Sequence, residues 1–351
     1  MSAGSNVAPP SALVAGDAVT IQRNARHLMK AIDDFPADRG TAGTVVTFGE
    51  PLVAALPPDP LPLEECPTLR LYAGGAEVNF AVGIRRLGFD TCLVGHVGDD
   101  PPGRFVQHAL KAEGIDLSHL GVRPLPTGLY LREWLPDGER RPYYYRSGSA
   151  SACFTAADWP ADIAGASWLH LTGITPALSQ SCREAALAAL SWAKARDIPV
   201  SFDPNYRARL WDIETARTAL RPLIAGCNVL LLGLDEAHLL FGSTTVAEAA
   251  AAASALGPGL VVIKQGAAGA SAWRDGHLSH HPALATAAAD PVGAGDAFDA
   301  GCIAALLSGS SLTEALTLGA YCGARVAEVP GEHTGFPRRE SLPQQLLQSV
   351  R

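Results

Sequence analysis

The chain has 351 residues, 48% of them hydrophobic and 18% charged, with a formal net charge of −8. This length suits one large α/β domain, and the apolar content is enough for a substantial core. The acidic balance, with Lys and Arg scattered along the chain, argues against a nucleic-acid-binding protein. The seven cysteines are widely spaced and form no CxxC pair, so they indicate neither a zinc site nor a disulfide framework.

The N-terminus predicts an extension ahead of the ordered domain. Residues 1–43 begin with Ser, Ala, Gly and Pro, and we expect a flexible segment with one short helix at Asn24–Asp34. The domain is expected over residues 44–351, from the β-rich run TVVTFGE onward. The start lacks the pattern of a signal peptide and no apolar run is long enough to span a membrane, so we expect a soluble, cytoplasmic protein with reduced thiols.

Strand-like apolar runs alternate with Ala-rich helical runs through the rest of the chain. The predicted strands are 91–98, 167–173, 198–205, 228–233 and 260–266. The predicted helices include Glu77–Leu87, Pro102–Glu113, Gln180–Arg196, Asp235–Phe241, Ala247–Leu256 and Ala297–Leu307. This alternation predicts an α/β domain whose mostly parallel sheet is covered on both faces and binds ligands beyond the strand C-termini.

Two segments interrupt this alternation and predict a small β lid. The run LRLYAGGA occupies 69–76, and the segment TGLYLREWLPDGERRPYYYRS occupies 127–147. The second segment has aromatic, β-rich arms around Pro136-Asp137-Gly138, which is typical of a β-hairpin. It is too small for a separate domain, so we expect it to cover the edge of the active site.

The run DPVGAGDAFDAG, from Asp290 to Gly301, is the strongest functional signal. Its small residues precede a helical run, and unpaired N–H groups at a helix start form a site for phosphate. Asp296 falls in the first turn, where its carboxylate could accept a proton from a hydroxyl beside that phosphate. A helix cap is the alternative. Phe298 breaks the dinucleotide pattern GxGxxG, and the phosphate-loop motif GxxxxGK[ST] is absent from the sequence.

DPVGAGDAFDAG resembles the C-terminal signature of the ribokinase-like (PfkB) carbohydrate kinases. AGGAEVNFAVGIRRLG, at 73–88, resembles their N-terminal signature. The resemblance covers about 45–337 and implies a three-layer α/β/α fold with a small β lid. It also implies ATP and Mg²⁺ as cofactors and leaves a monovalent cation open. Within the family, stretches such as FGEPLV, TGLYLREWLPDG and DPNYRARLW are similar to kinases of the sugar acid 2-keto-3-deoxygluconate.

The resemblance assigns roles to individual positions. It implies that Asp296 is the catalytic base and that the backbone of Gly293, Ala294 and Gly295 is the anion hole. The implied substrate-binding positions, besides Asp296, are Gly75, Asn79, Tyr130, Tyr144, Arg146, Arg207 and Glu332. The implied nucleotide-binding positions are Asn205, Arg207, Lys264, Gly266, Gly269, Gly293, Gly295 and Ala320. Glu236 is the implied metal-associated residue.

Two positions depart from the family pattern. Gly233 stands where a short polar residue is common, so we expect the metal-associated network around Glu236 to use more water. Ala320 stands where a polar contact to adenine is common, so we expect a looser nucleotide preference. Arg146 and Arg207 fall in motif stretches, and a pair of arginines suits the carboxylate of a sugar acid better than a neutral sugar.

Three functional hypotheses follow. The first is ATP-dependent phosphorylation of a sugar acid, 2-keto-3-deoxygluconate, to its 6-phosphate. The second is a kinase of the same family with another substrate, such as fructose, 5-keto-2-deoxygluconate or a nucleoside. The third is a non-catalytic member that only binds its ligand, against which the intact run Gly293–Asp296 argues. The exposed aromatic residues of the hairpin also predict a homo-oligomer assembled through the lid.

Overall fold

The computed structural model describes residues 43–350. The predicted N-terminal extension, apart from Gly43, and its helix at Asn24–Asp34 therefore lie outside the described residues. The described strands are β1 (Thr44–Phe48), β2 (Leu52–Leu56), β3 (Arg70–Gly74), β4 (Thr91–Gly98), β5 (Leu120–Arg123), β6 (Leu129–Trp134), β7 (Arg140–Tyr145), β8 (Ala166–Thr172), β9 (Val200–Asp203), β10 (Val229–Gly233), β11 (Leu260–Lys264), β12 (Ala270–Arg274) and β13 (His277–His281).

The helices lie between these strands and after the last one. They are α1 (Ala76–Arg86), α2 (Pro101–Ala112), α3 (Ile174–Leu178), α4 (Gln180–Lys194), α5 (Ile213–Gly226), α6 (Leu234–Phe241), α7 (Val246–Ser254), α8 (Ala294–Leu307), α9 (Leu312–Ala327) and α10 (Gln344–Leu347). Each of them is too short or too polar to cross a lipid bilayer. Most of the cysteines are buried, namely Cys92, Cys182, Cys227, Cys302 and Cys322.

The larger sheet has the strand order β13-β12-β11-β10-β9-β8-β1-β4-β5 in the described chain. Its strands are parallel except for β12 and β13, which add an antiparallel edge. Successive side chains of a strand point to opposite faces. Accordingly, Val229 and Leu231 join a buried cluster with α8 and α9, whereas Leu230 and Leu232 join one with α4 and α5. Helices cover both faces, and the predicted three-layer α/β/α architecture is confirmed.

A second sheet, which we call the lid, has the strand order β3-β2-β6-β7. The strands β6 and β7 pair in antiparallel register, and the turn between them contains Gly138 at φ 91°. The strand β2 is not among the predicted lid strands because all five of its side chains are buried, so it lacks the alternation that marks a half-exposed strand. It pairs with β3 on one side and β6 on the other.

Helix α8 occupies a central position that its sequence explains. Every residue from Ala297 to Leu307 is buried, and all but Asp299 are small or apolar, which is typical of a helix that packs in the interior. Its N-cap, Gly293, has φ 81°, and a Cβ there would lie 2.0 Å from the carbonyl oxygen of Glu332. Only glycine fits this position, which brings the first turn of α8 to the C-terminal edge of the sheet.

Candidate active site

A cleft of about 910 Å³ lies between the C-terminal ends of β9 to β11, the first turn of α8 and the lid. It brings together most of the residues that the sequence singles out. Those that line it are Gly75, Asn79, Tyr130, Tyr144, Arg146, Asn205, Arg207, Glu236, Lys264, Gly266, Gly293, Gly295, Asp296 and Glu332. Three predicted positions, Gly269, Ala294 and Ala320, are not among the lining residues.

Asp296 is held by two amide side chains from distant parts of the chain. Asn79 Nδ2 donates to Asp296 Oδ2 at 2.8 Å, and Asn205 Nδ2 donates to Asp296 Oδ1 at 3.2 Å. Burial raises the pKa of Asp296 to about 7, and the nearby carboxylate of Asp203 acts in the same direction. A carboxyl group with a pKa near neutrality is suited to accept a proton from a substrate hydroxyl.

The start of α8 exposes backbone to the cleft, as the predicted phosphate site requires. Gly293 and Gly295 line the cleft, and a Cβ on Gly295 would have Lys264 Nζ, at 3.7 Å, as its nearest neighbour, so the backbone there is accessible. The N–H of Ala294, which the sequence predicts for the anion hole, donates to the carbonyl oxygen of Pro291 at 3.2 Å. The N–H groups of the first helical turn have no intrahelical acceptor, and they lie at the positive end of the helix dipole.

Lys264 lies at the end of β11 in a buried ion network. Its ammonium donates to Asp203 Oδ2 at 3.0 Å and to both Asp299 oxygens at 2.9 Å. Burial acts to lower the pKa of Lys264, but the carboxylates of Asp203 and Asp299 outweigh it and raise that pKa. Neither carboxylate was predicted, although one ends β9 before Asn205 and the other follows Asp296 by one helical turn.

Two predicted substrate residues of the lid already have protein partners. Arg146 Nε donates to Glu50 Oε2 at 2.6 Å, and its guanidinium lies 5.2 Å from the ring centre of Tyr144. Glu50 is buried and belongs to the stretch FGEPLV, in which no functional residue was predicted. Arg146 is therefore fixed in place with its charge balanced.

Tyr130 and Glu332 form a second contact between the lid and the core. The hydroxyl of Tyr130 donates to Glu332 Oε1, and both residues are buried. Burial raises the pKa of Glu332, while Arg132 acts in the opposite direction. The contact places a predicted lid residue directly against the segment that packs on Gly293.

Arg207 and Arg209 lie on the loop after β9, at the cleft wall. Arg207 is exposed, and its Nη1 donates to the carbonyl oxygen of Tyr206 at 3.1 Å. Arg209, also exposed, donates to the carbonyl oxygen of Pro142 on the lid. These bonds go to neutral carbonyl groups, so neither guanidinium is hydrogen-bonded to a carboxylate. Arg146, in contrast, is paired with the carboxylate of Glu50.

Arg132 and Asp290 form a buried ion pair that sequence reasoning missed. Arg132 Nη2 lies 2.5 Å from Asp290 Oδ2, and the two side chains are 5% and 1% exposed. Arg140 adds a second contact to Asp290 at 3.4 Å. Asp290 opens the motif that contains Asp296, so the pair joins the lid to the loop in front of the anion hole. No pairing of these residues is apparent in the sequence, because it does not fix how the lid packs on the core.

Glu236 connects two backbone segments at the base of the cleft. Its Oε2 accepts the N–H of Gly233 at 2.7 Å, and its Oε1 accepts the N–H of Tyr206. Burial and the carboxylate of Asp203 raise its pKa. Each oxygen keeps a free lone pair, so Glu236 fits a role in binding water around a metal ion. Within residues 43–350, no group of three His, Cys, Asp or Glu side chains is arranged to hold a metal ion.

The comparisons with known proteins agree with this geometry. The family described as pfkB family carbohydrate kinase matches residues 43–339. A 2-dehydro-3-deoxygluconokinase of Bacillus subtilis is 34% identical over 85% of this chain and 93% of its own length. A fructokinase of Klebsiella pneumoniae is 34% identical over 87% of this chain and 99% of its own length.

Solved structures share the fold over most of its length. A structure described as an E. coli ribokinase II in complex with ATP and Mg²⁺ superposes with a TM-score of 0.79 at 27% identity. It covers 84% of this chain and 96% of that chain. The family match spans both signatures, the lid and the cleft, so the chain belongs to the PfkB family of carbohydrate kinases.

Proposed function

We propose that this carbohydrate kinase transfers the γ-phosphoryl group of ATP to a sugar acid, 2-keto-3-deoxygluconate, and yields its 6-phosphate. The observation that carries the proposal is the place of Asp296, whose carboxylate lies in the cleft on the first turn of α8, beside Gly293 and Gly295. A base and a phosphate site on the same helical turn suit phosphoryl transfer to a hydroxyl group.

The chemistry follows from this arrangement. Above about pH 7 the carboxylate of Asp296 is ionised, and it accepts the proton of the substrate hydroxyl. The hydroxyl oxygen then forms a bond to the γ-phosphorus while the bond to the β-phosphate oxygen breaks, which releases ADP. N–H groups at the start of α8 stabilise the charge on the transferring group.

Magnesium bound with ATP would neutralise charge on the phosphates. The carboxylate of Glu236 would accept hydrogen bonds from waters around that ion. Gly233, beside it, has no side chain to add, so water would complete the contacts of the ion. Asn205 Oδ1 is buried in the described structure and has no donor there, so it would accept from a water or hydroxyl between it and the nucleotide.

The choice of a sugar acid rests on the cations of the lid side of the cleft. Arg207 forms no salt bridge with a carboxylate of the described residues, and its charge acts on Asp296 inside the cleft, so it is available to a carboxylate of the substrate. Arg146, whose charge Glu50 balances, would add hydrogen-bond donors from the other side, with Tyr130 and Tyr144 against the sugar chain. Arginine binds carboxylates in bidentate fashion, whereas a neutral sugar gains less from it.

A fructose kinase is the second candidate, because the Klebsiella fructokinase matches this chain as well as the sugar-acid kinase does. A substrate panel separates the two. Wild-type enzyme with ATP and Mg²⁺ is offered 2-keto-3-deoxygluconate, fructose, 5-keto-2-deoxygluconate and a nucleoside in a coupled assay that detects ADP. We expect kcat/KM for the sugar acid to exceed that for fructose by at least about tenfold.

The variant Arg207→Ala tests the carboxylate contact within the same panel. Loss of this contact should raise KM for the sugar acid by about tenfold or more and leave KM for fructose nearly unchanged. Arg221→Ala is the matched control, since Arg221 is exposed on α5 away from the cleft. Arg146→Ala is a poorer probe because it strands the buried carboxylate of Glu50. Equal turnover of fructose, or equal effects of Arg207→Ala on both substrates, would refute the sugar-acid assignment.

A further inference from the structure

Carboxylate oxygens of the protein can accept all three N–H donors of the Lys264 ammonium group. A lysine ammonium carries three N–H donors, and three carboxylate oxygens lie within 3.0 Å of Lys264 Nζ. Two of these oxygens belong to Asp299 and one to Asp203. The sequence predicts a nucleotide-binding role for Lys264, but these hydrogen bonds direct its ammonium group to the protein instead. The buried lysine beside the cleft therefore needs another explanation.

One route leads from Lys264 to the base through Asp203. Asp203 Oδ1 accepts the N–H of Asn205 at 2.9 Å, and its Oδ2 accepts Asn205 Nδ2 at 3.3 Å. These bonds hold Asn205 at φ 42°, a conformation that side-chain-bearing residues seldom adopt. The same Nδ2 donates to Asp296 Oδ1 at 3.2 Å. Lys264 therefore holds Asp203, Asp203 holds the amide of Asn205, and this amide holds Asp296.

A second route runs along α8. Asp299 follows Asp296 by three residues, so the two side chains share one side of the helix. The bonds from Lys264 to Asp299 tie this first turn to the end of β11. The distance of 3.7 Å from Lys264 Nζ to a Cβ built on Gly295 places the ammonium beneath the same turn.

We infer that Lys264 is a positioning residue for phosphoryl transfer, which acts on Asp296 through Asp203 and Asn205 on one side and through Asp299 on the other. The inference rests on the proposed role of Asp296 as the base. Lys264 itself touches neither the nucleotide nor the sugar. Its charge allows the carboxyl groups of Asp203, Asp296 and Asp299 to lie close together, and its bonds help to aim Asp296 at the substrate hydroxyl.

The charges that face Asp296 come from three elements. They are Asp203 at the end of β9, Lys264 at the end of β11 and Arg207 on the loop after β9, and Asp299 and Glu236 act on Lys264 in turn. Lys264 and Arg207 act to lower the pKa of Asp296, whereas Asp203 acts to raise it. Neutral substitutions of Lys264 and Asp203 should therefore move the acid limb of the pH–rate profile in opposite directions.

The test uses Lys264→Met, Asp203→Asn and the double variant, with Lys111→Met, an exposed lysine on α2, as control. The profile of kcat/KM against pH is recorded with whichever sugar the wild type phosphorylates, and ATP affinity is measured by calorimetry. We expect Lys264→Met to move the acid limb up by about one pH unit and Asp203→Asn to move it down by about one unit. The double variant should return close to wild type, and the Kd for ATP should change by less than about threefold.

Other results overturn the inference. A weakening of ATP binding by about tenfold or more in Lys264→Met, with an unmoved acid limb, would make Lys264 a nucleotide ligand. Unmoved acid limbs in Asp203→Asn and in the double variant would reduce the network to a structural role. If Lys264→Met does not fold, the other two variants still provide the test. In neither of them are both Asp203 and Asp299 left ionised without the lysine. Activity retained in Asp296→Asn would instead refute the proposed base, independently of these shifts.

Discussion

Asn79 on α1 and Asn205 on the loop after β9 hold the carboxylate of Asp296. The contact between Asn79 and Asp296 joins residues 217 positions apart, and both were singled out from the sequence by the two signatures. The two amide N–H donors stabilise the ionised carboxylate, but burial outweighs them and raises the pKa to about 7. Strongly shifted pKa values are concentrated at functional sites, and the raised pKa of Asp296 in the cleft fits that pattern.

The raised pKa of Asp296 predicts a pH-dependent cost in stability. Its folded pKa, about 7, lies above the ordinary value of 3.8, so the folded protein holds this proton more tightly than the unfolded chain does. This group therefore lowers the free energy of unfolding as pH rises from about 4 to about 7. Between pH 5 and pH 8, the free energy of unfolding of Asp296→Asn should rise by about 1–2 kcal/mol relative to that of wild type. This figure is reduced because the carboxyl group is partly exposed.

Urea unfolding at the two pH values measures this change for wild type and variant. Comparison across pH removes any constant effect of the substitution, such as the hydrogen bond that an amide loses to Asn79 or Asn205. If the free energies of unfolding of the two proteins differ by the same amount at pH 5 as at pH 8, the pKa of Asp296 is not raised.

The lid is joined to the rest of the molecule through the ion pair of Arg132 and Asp290. Arg132 on β6 and Arg140 on β7 both contact Asp290, so ion pairs as well as chain connections attach the lid to the core. Asp290 also accepts the backbone N–H of Val292 at 3.3 Å, just before Gly293. The position of the lid is therefore linked to the shape of the loop that leads into α8, where we propose that phosphate binds.

Arg132→Met tests this link. It removes one partner of a buried pair, which typically costs about 3–5 kcal/mol, so Tm should fall markedly. Because the freed Asp290 lies in the anion-hole loop, KM for ATP should rise as well as KM for the sugar. Arg141→Met is the control, since Arg141 lies on the same hairpin but pairs with Glu139 at the surface. If both variants melt like wild type, the ion pair does not hold the lid.

Sequence patterns predicted elements with strong periodicity and missed those defined by long-range packing. The parallel strands β8 to β11 were predicted within a few residues because their apolar runs end in Gly, Asp or Lys. The edge hairpin of β12 and β13 was not, although its turn at Asp275-Gly276, with both residues at positive φ, carries the usual hairpin signal. The partners of Lys264 and Arg132 could not be predicted, because they depend on strand order and on how the lid packs.

At the scale of the whole molecule, the lid exposes an apolar face. Leu71 is 52% exposed, Tyr143 is 41% exposed and Tyr145 is 61% exposed, all on the outer strands β3 and β7. The register across the lid places Leu71 and Tyr143 in one row through Ala55 and Leu131. We propose that a second copy of the chain covers this face, since exposed strand edges with aromatic side chains favour association.

Light scattering coupled to gel filtration tests the assembly. Wild type should have the mass of a dimer or larger oligomer at micromolar concentration, and Leu71→Asp should shift it toward the monomer of 36.5 kDa. Leu278→Asp, on the exposed edge strand β13, should leave the mass unchanged. A monomeric wild type would contradict assembly through the lid.

The role of Asp296 is the central claim, and Asp296→Asn measures it most directly. Removal of a general base typically costs about 10²–10⁴-fold in kcat, whereas nucleotide binding needs only the backbone beside it. Steady-state kinetics with the preferred sugar, paired with calorimetric titration of ATP, should show a kcat at least about 100-fold below wild type and a nearly unchanged Kd for ATP. A variant that kept more than about a tenth of the wild-type kcat would contradict the account.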